Sequence, residues 1–298
     1  TATSTWLFLK ERDARQRAVV AEQQQARLRL EAETREQLTQ AALMVSLERF
    51  EEADRLIQDV VLNESTMEGA AVFRAMGEWH ALNGRWKEAA ERFDVLLRIN
   101  HLEGADVASL DYLELGPVLL EIPDLGAFER FRHEAIARFS AEQNPFSDRI
   151  IKISLLQPAN GEILQRIESL AEANVQAIEE AEASGDYFVV AWRSMSMALF
   201  EYRRGNSEAA IRWGERSLAT SNENAPRSAT VHSLLAMANY RIGREGEAER
   251  HLSLADGLLQ NRLDPPFERG SPVNGFWFDW AFARVLHREA QMLLPEPV

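Results

Sequence analysis

The sequence has no cysteine. That excludes disulfides, thiolate metal sites and thiol nucleophiles, and it leaves the redox compartment open. Glycine and proline are scarce, 15 and 10 among 298 residues, so long stretches run free of helix breakers. No apolar run approaches the roughly 20 residues that a membrane helix needs. Positive charge is also short: 33 Lys and Arg stand against 47 Asp and Glu, a net charge of −14. The deficit is local. Residues 1–40 carry seven basic and six acidic side chains, so the acidity belongs to residues 41–298. A body that acidic repels a phosphate backbone, and no basic stripe with interleaved aromatics is present. Nucleic acid is therefore not the expected partner.

Ala, Glu, Leu, Arg and Gln fill the chain instead. These residues lose little rotamer freedom in a helix, and their summed propensity predicts an all-α fold. Residues 10–40 read as one charged helix without Gly or Pro. Its heptad trace, Ala14, Ala21 and Leu28 with Ala18 and Ala32 between, is too short and small-sided for a coiled coil. A solvated stalk is expected. Just before it, Trp6-Leu7-Phe8-Leu9 and Lys10 suit the interfacial end of a membrane helix lying upstream of Thr1. They suit the hydrophobic start of a soluble helix equally well.

From about residue 40 a unit recurs, clearest as Phe73, Met76, Gly77, His80, Gly84, Trp86, Ala89, Phe93 and Leu96. The first four share one helix face; Gly84 breaks the helix, and the last four share a face of a second helix. Phe50, Ala53, Ile57 and Val60 match that second helix, with Phe50 36 residues ahead of Trp86. Tyr112, Leu115, Gly116 and Leu119 begin a third copy, with a break at Pro123-Asp124. Met197-Ala198, Gly205 and Ala210 repeat 38 residues later as Leu235-Ala236, Gly243 and Ala248. A pair over 147–183, broken by Pro158-Ala159-Asn160-Gly161, has lost the signature. One helix pair cannot bury its apolar face alone, so such units stack. The pattern predicts a tetratricopeptide-type solenoid of helical hairpins over 41–260, after a stalk over 1–40. Residues 261–298 form a turn-rich loop, Asp264 to Gly275, then Phe276-Trp277-Phe278-Asp279-Trp280-Ala281-Phe282. These aromatics predict a bulky capping helix on the last repeat, with a ligand-stacking box as the sharper alternative.

Several motifs, in order, resemble a known family. They are Trp6 to Arg17 (WLFLKERDARQR), Arg49-Phe50-Glu51-Glu52-Ala53-Asp54, Gly77-Glu78-Trp79-His80-Ala81-Leu82, Arg130-Phe131-Arg132-His133-Glu134 and Gly275-Phe276-Trp277-Phe278-Asp279-Trp280. Together they resemble the C-terminal region of membrane-anchored serine/threonine protein kinases of planctomycete and verrucomicrobial bacteria. The resemblance implies a kinase domain and one membrane helix upstream, then a juxtamembrane helix and a repeat array that senses or binds a partner. It further implies an extracytoplasmic array; Lys10, Arg12, Arg15 and Arg17 beside the implied span pull the other way. No Gly-rich phosphate loop, His-Arg-Asp loop or Asp-Phe-Gly triplet occurs here. Asp124-Leu125-Gly126 lacks the Phe. A free-standing adaptor with no kinase attached remains the other reading, with a cytoplasmic location.

Catalytic and metal chemistry find no constellation. His133-Glu134 begins a zincin-like motif, but Ala137 stands where the second ligand is needed. His80 occupies a repeat-core position, and Glu51-Glu52 and Glu179-Glu180 read as solvated surface. No enzyme, cofactor or metal is expected. A protein or peptide partner is expected in the concave groove, on first-helix positions not taken by the repeat core. Phasing on Gly205 and Gly243 makes Tyr202-Arg203 and Tyr240-Arg241 equivalent ledges, joined by Trp192 and Met195, with Arg74 and Glu78 at comparable places. Tyr and Arg are the usual makings of a hot spot; inter-repeat packing and solvated charge are the competing assignment. If the ledges bind, replacing Arg203 and Arg241 with Glu abolishes partner capture without unfolding the array. The Lys and Asn positions of a chaperone-tail carboxylate clamp are not reproduced.

Overall fold

The computed structural model describes residues 2–60, 62, 66–100, 102–140, 145–220, 224–260, 262, 264–272 and 274–294, without the side chains of 2–11, 13, 14 and 125. The side chains of Trp6, Leu7, Phe8, Leu9 and Lys10, which carry the expectation of a membrane-proximal start, lie outside the described residues. Among the described residues the chain forms thirteen helices and one ladder of two short strands. It is all-α. No described helix is long and apolar enough to cross a membrane.

Helix α1 (Ala2–Ser46) is continuous over 45 residues, about 68 Å at 1.5 Å per residue. From Arg15 to Gln37 its side chains are exposed, Thr34 alone being half-buried. Pairs such as Arg27–Glu31, 2.6 Å apart at i,i+4, support a helix that packing does not. At Leu38 and Ala41 it enters the core. No chain break separates stalk from body: one helix serves both, and its last turns form the first half of a hairpin.

That hairpin is completed by α2 (Phe50–Ile57). Five more follow: α3 (Met67–Leu82) with α4 (Trp86–Ile99), α5 (Ala105–Leu119) with α6 (Leu125–Phe139), and α7 (Ser147–Ser154) with α8 (Gly161–Ser184). The last two are α9 (Tyr187–Arg203) with α10 (Ser207–Ala219), and α11 (Ala225–Arg241) with α12 (Glu245–Leu259). Each first helix touches its partner, the first helix of the next hairpin, and the second helix of the one before.

Four of the six hairpins use the same turn. The backbone is left-handed at Glu48, Gly84, Gly205 and Gly243, with φ of 57°, 69°, 85° and 75°. The next N–H then reaches back across the helix end: Arg49 to Met44, Arg85 to His80 and Asn206 to Glu201 at 2.9 Å, and Arg244 to Asn239 at 3.0 Å. This is the six-to-one bond that satisfies a carbonyl orphaned at a helix C-terminus. Five residues beyond each turn stands a buried alanine: Ala53, Ala89, Ala210 and Ala248. Within the second hairpin, Gly77 is small because it must be: a Cβ there would lie 2.7 Å from the Phe93 ring. The third and fourth hairpins depart from the scheme. Their second helices start from side-chain caps, Asp124 Oδ1 accepting from Ala127 N at 3.1 Å and Asn160 Oδ1 from Ile163 N at 2.9 Å. The segment Pro158-Ala159-Asn160-Gly161 that interrupts the sequence pattern is thus a helix start.

After α12 a strap returns to the second hairpin. Phe267 N donates to Leu82 O at 2.8 Å, and the Phe267 ring lies 5.8 Å from Trp86. Strands β1 (Gly270–Ser271) and β2 (Gly275–Phe276) pair antiparallel and lead into α13 (Trp277–Leu293). This helix corrects the expectation of an end cap. A cap keeps one face in water, whereas seven consecutive residues of α13, Ala281 to His287, are buried. Two turns buried all round mean an enclosed helix. It touches α11 and α12, as a cap on the last hairpin would, and also α5. Trp277 stacks 6.3 Å from Phe93 of α4, and the Arg284 guanidinium lies over Trp86, 5.1 Å from its ring centre.

Candidate interaction surface

The eight residues singled out for partner binding all lie on first helices; Arg203 and Tyr240 meet α13 or its end, Arg241 meets Tyr202, and Arg74, Glu78 and Trp192 have other partners. The two Tyr-Arg ledges are not equivalent. Tyr202 is 1% exposed, while Tyr240 is half-buried against Leu294 at the end of α13. Arg241 sets its guanidinium 3.9 Å over the Tyr202 ring and donates to Tyr202 O at 3.1 Å. Arg203 turns the other way. Its Nε donates to Leu155 O at 2.8 Å, and its Nη2 to Leu156 O at 3.0 Å and to Glu289 Oε2 at 2.6 Å. The side chain is only 2% exposed, and Met195, about two turns earlier on α9, is buried. Burial raises the Tyr202 hydroxyl above its ordinary value.

Trp192 is half-buried and holds the Lys152 ammonium 4.6 Å from its ring centre. Burial lowers the Lys152 pKa, partly countered by Asp148 and Asp279. At the far end of the array, Arg74 donates to both oxygens of Asp111, at 2.6 and 3.0 Å; despite burial, that carboxylate and Glu103 raise the Arg74 pKa. Glu78 accepts from Arg269 Nε on the strap at 2.8 Å. Glu114 stands near this cluster with Oε2 unpartnered; burial, then the charges of Glu78 and Asp111, push its carboxyl well above the usual range.

At Arg203 and Tyr240 the surface expected to take a peptide is therefore covered by α13 and Leu294. Detaching α13 would expose Trp277, Phe278, Phe282 and Leu286 among others, at about 1.5–3 kcal/mol each, or on the order of 10 kcal/mol in all. No weak peptide displaces that. The expected outcome of Arg203→Glu also changes. A glutamate there would sit beside Glu289 and leave the Leu155 and Leu156 carbonyls without their donor, so it would unfold the structure rather than silence a ledge. In the aromatic run, Trp277, Phe278 and Phe282 are buried in the core, and Phe276 and Trp280 pack half-buried against it.

Two clusters escaped the sequence reading. His80 lies 3.1 Å from Asp54, which Arg92 also approaches at 2.8 Å; burial opposes the Asp54 carboxylate, but these partners hold its pKa at about 2. His232 Nδ1 meets His251 Nδ1 at 2.9 Å across the last hairpin. Arg250 Nη2 lies 2.9 Å from His251 Nε2, and an arginine only donates. His251 therefore carries its hydrogen on Nδ1 and gives it to His232. Burial, then the neighbouring His251 and Arg250, lowers the His232 pKa to about 4.

Open surface lies elsewhere. A crevice of about 510 Å³ runs between α12 and α13, lined by Ser253, Asp256, Gly257, Leu259, Gln260, Asp264 and His287. A second, of about 610 Å³, opens beside the last turns of α13 among Leu120, Gln157, Pro158, Val285, Arg288 and Met292. Among the described residues no three His, Asp or Glu side chains converge to hold a metal. A scan against protein-family models finds no match, and a search of curated proteins finds no significant relative.

Proposed function

We propose that this chain is a protein-interaction region of the tetratricopeptide type, without catalysis of its own, carried by a membrane-anchored bacterial serine/threonine kinase. Its partner is a protein or peptide, not nucleic acid. The supporting observation is the repeated register: a left-handed turn at Glu48, Gly84, Gly205 and Gly243, each followed five residues later by a buried alanine. A unit that recurs in this way builds an elongated array with a large surface, and such arrays serve recognition rather than chemistry. Helix α1 adds a rigid spacer. Counted from residue 6 to Leu38, it would hold the body about 50 Å from an anchor, with the array outside the cytoplasmic membrane.

With Arg203 and Tyr240 covered by α13 and Leu294, the partner meets the outer faces, the crevices and the stalk. Reading the frame upstream of Thr1 tests the kinase part: an encoded kinase domain and apolar span support it, and a start codon directly before Thr1 replaces it with a free-standing adaptor. In-cell crosslinking of the full-length protein tests the interaction part. Crosslinks from α8, α10, α12 or α1 to one recurring protein support it; a set that scales only with protein abundance overturns it.

A further inference from the structure

We propose that the crevice beside the last turns of α13 binds a carboxylate that carries an apolar tail. The head of such a ligand matches a guanidinium edge left over on Arg288. Two arginines of α13 share the single carboxylate of Glu121. Arg288 sets Nη2 at 2.6 Å from Oε1 and Nη1 at 3.2 Å from Oε2, and Arg284 brings Nη2 to 2.9 Å from Oε1. An arginine carries five N–H donors in a rigid plane. The Nη1/Nη2 edge of Arg288 is turned to Glu121. Its other edge, Nε with the second hydrogen of Nη2, has no partner among the described residues. Glu121 is 8% exposed, whereas Arg288 is 45% exposed and lines the crevice. Two parallel N–H donors on one edge are the shape that a carboxylate fills.

The tail matches the rest of the lining. Met292 is 81% exposed, more than any other large apolar side chain among the described residues, and it borders the crevice with Leu120, Pro158 and Val285. Val285, Arg288 and Met292 stand at i, i+3 and i+7, on one helix face, so apolar contacts flank the cation on both sides. The crevice measures about 610 Å³, within the range of small-molecule sites. Its one acidic lining residue, Glu289, is already held by Arg203 and does not compete for the free edge.

The same features exclude a phosphate. One edge supplies two hydrogens, too few for three acceptor oxygens, and a chain of net charge −14 disfavours each further negative charge. A monocarboxylate with an apolar tail comes from two sources: a free organic acid, or the C-terminus of a protein chain that ends in an apolar residue. Only the second draws on the interaction reading of the chain; the site itself does not rest on it.

The test uses the whole chain with methyl-labelled methionine. It has seven methionines, and Met292→Leu identifies the Met292 signal. Titration with sodium hexanoate should shift that signal saturably, with a dissociation constant on the order of 1 mM. Hexanamide lacks the charge and acetate lacks the tail, so each should bind at least about tenfold more weakly. Arg288→Gln should weaken hexanoate about tenfold; Glu121 keeps Arg284 at 2.9 Å, so no buried charge is stranded. Met292→Glu places a carboxylate one turn beyond Arg288 on the same face, at an exposed position that does not endanger folding. It should weaken hexanoate by a similar factor, read on the hexanoate resonances. Acetyl-Ala-Leu with a free carboxylate separates the sources: tighter than hexanoate, it identifies a protein C-terminus; weaker, a free acid. Either order supports the site. An unmoved Met292 signal, hexanamide binding as tightly as hexanoate, or unchanged hexanoate affinity in both variants overturns it. Saturable hexanoate binding by a chain that crosslinks to no recurring protein leaves the site standing and removes the interaction reading.

Discussion

Arg203 of α9 and Glu289 of α13 form an ion pair in which the arginine is 2% exposed and its Nη2 lies 2.6 Å from Glu289 Oε2. The same guanidinium ties down the carbonyls of Leu155 and Leu156 where α7 ends. One side chain thus joins three elements that are remote in sequence. Breaking such a pair from one side leaves an uncompensated charge, which outweighs the modest net gain of the intact pair.

Glu289→Ala should therefore destabilise the chain by about 3–5 kcal/mol. Arg203→Met with Glu289→Leu strands no buried charge, although the Leu155 and Leu156 carbonyls lose their donor, so it should cost less than Arg203→Met and Glu289→Leu added together. Urea unfolding of the two single variants and the double variant measures both effects. Equal losses for the double variant and the sum of the singles would show that the pair is uncoupled.

The repeated turn makes a prediction of sign. Glu48 adopts φ 57° where the three equivalent turns have glycine. A residue with a Cβ pays about 1 kcal/mol there. Glu48→Gly should stabilise the chain by about 0.5–1 kcal/mol, and Gly205→Ala, at φ 85°, should destabilise it by about 1 kcal/mol. Gly246→Ala, inside α12 with open space around it, should stabilise by about the helix-propensity difference of 1 kcal/mol. Thermal or chemical denaturation reads all three, and the opposite signs at positions 48 and 205 are the discriminating result.

Acid should reach the last hairpin before the rest. His232 titrates at about 4 in the folded chain against an ordinary 6.5. The unfolded chain takes up the proton first, so the stability from this pair is complete above pH 6.5 and is lost as pH falls through 4. Allowing for solvent screening of a partly exposed His232, the loss by pH 4 is on the order of 1 kcal/mol. In His232→Gln the denaturation midpoint should lose that part of its slope between pH 6.5 and 4. A wild-type slope unchanged by the substitution would contradict it.

The hairpins were legible because their signals are local. Gly84, Gly205 and Gly243 mark the turns, and Ala89, Ala210 and Ala248 mark the close contacts that follow. The first turn was hidden because Glu48 stands where a glycine is expected. The interruption at Pro158 was legible, but its use as a start for α8 depends on the Asn160 cap. The ledges were misplaced for a physical reason. Equal phase in two repeats fixes which way a side chain leaves its helix, but not what it meets. Tyr202 and Arg203 meet Arg241, the end of α7 and Glu289, and the last of these is 86 positions away. The destination of α13 depended on long-range packing, for which its aromatic run gave the hydrophobicity but not the address. His232 and His251 lie on two helices that the turn at Gly243 folds together; that hairpin was foreseen, but its facing positions were not paired.

Hydrogen exchange of the α13 amides tests most directly whether the array is closed around its own C-terminal helix. The enclosed arrangement predicts that amides from Ala281 to His287 exchange as slowly as those of α11, because both open only on global unfolding. Exchange of that segment orders of magnitude faster than α11 would mean a detachable cap and an open groove, and would contradict the account.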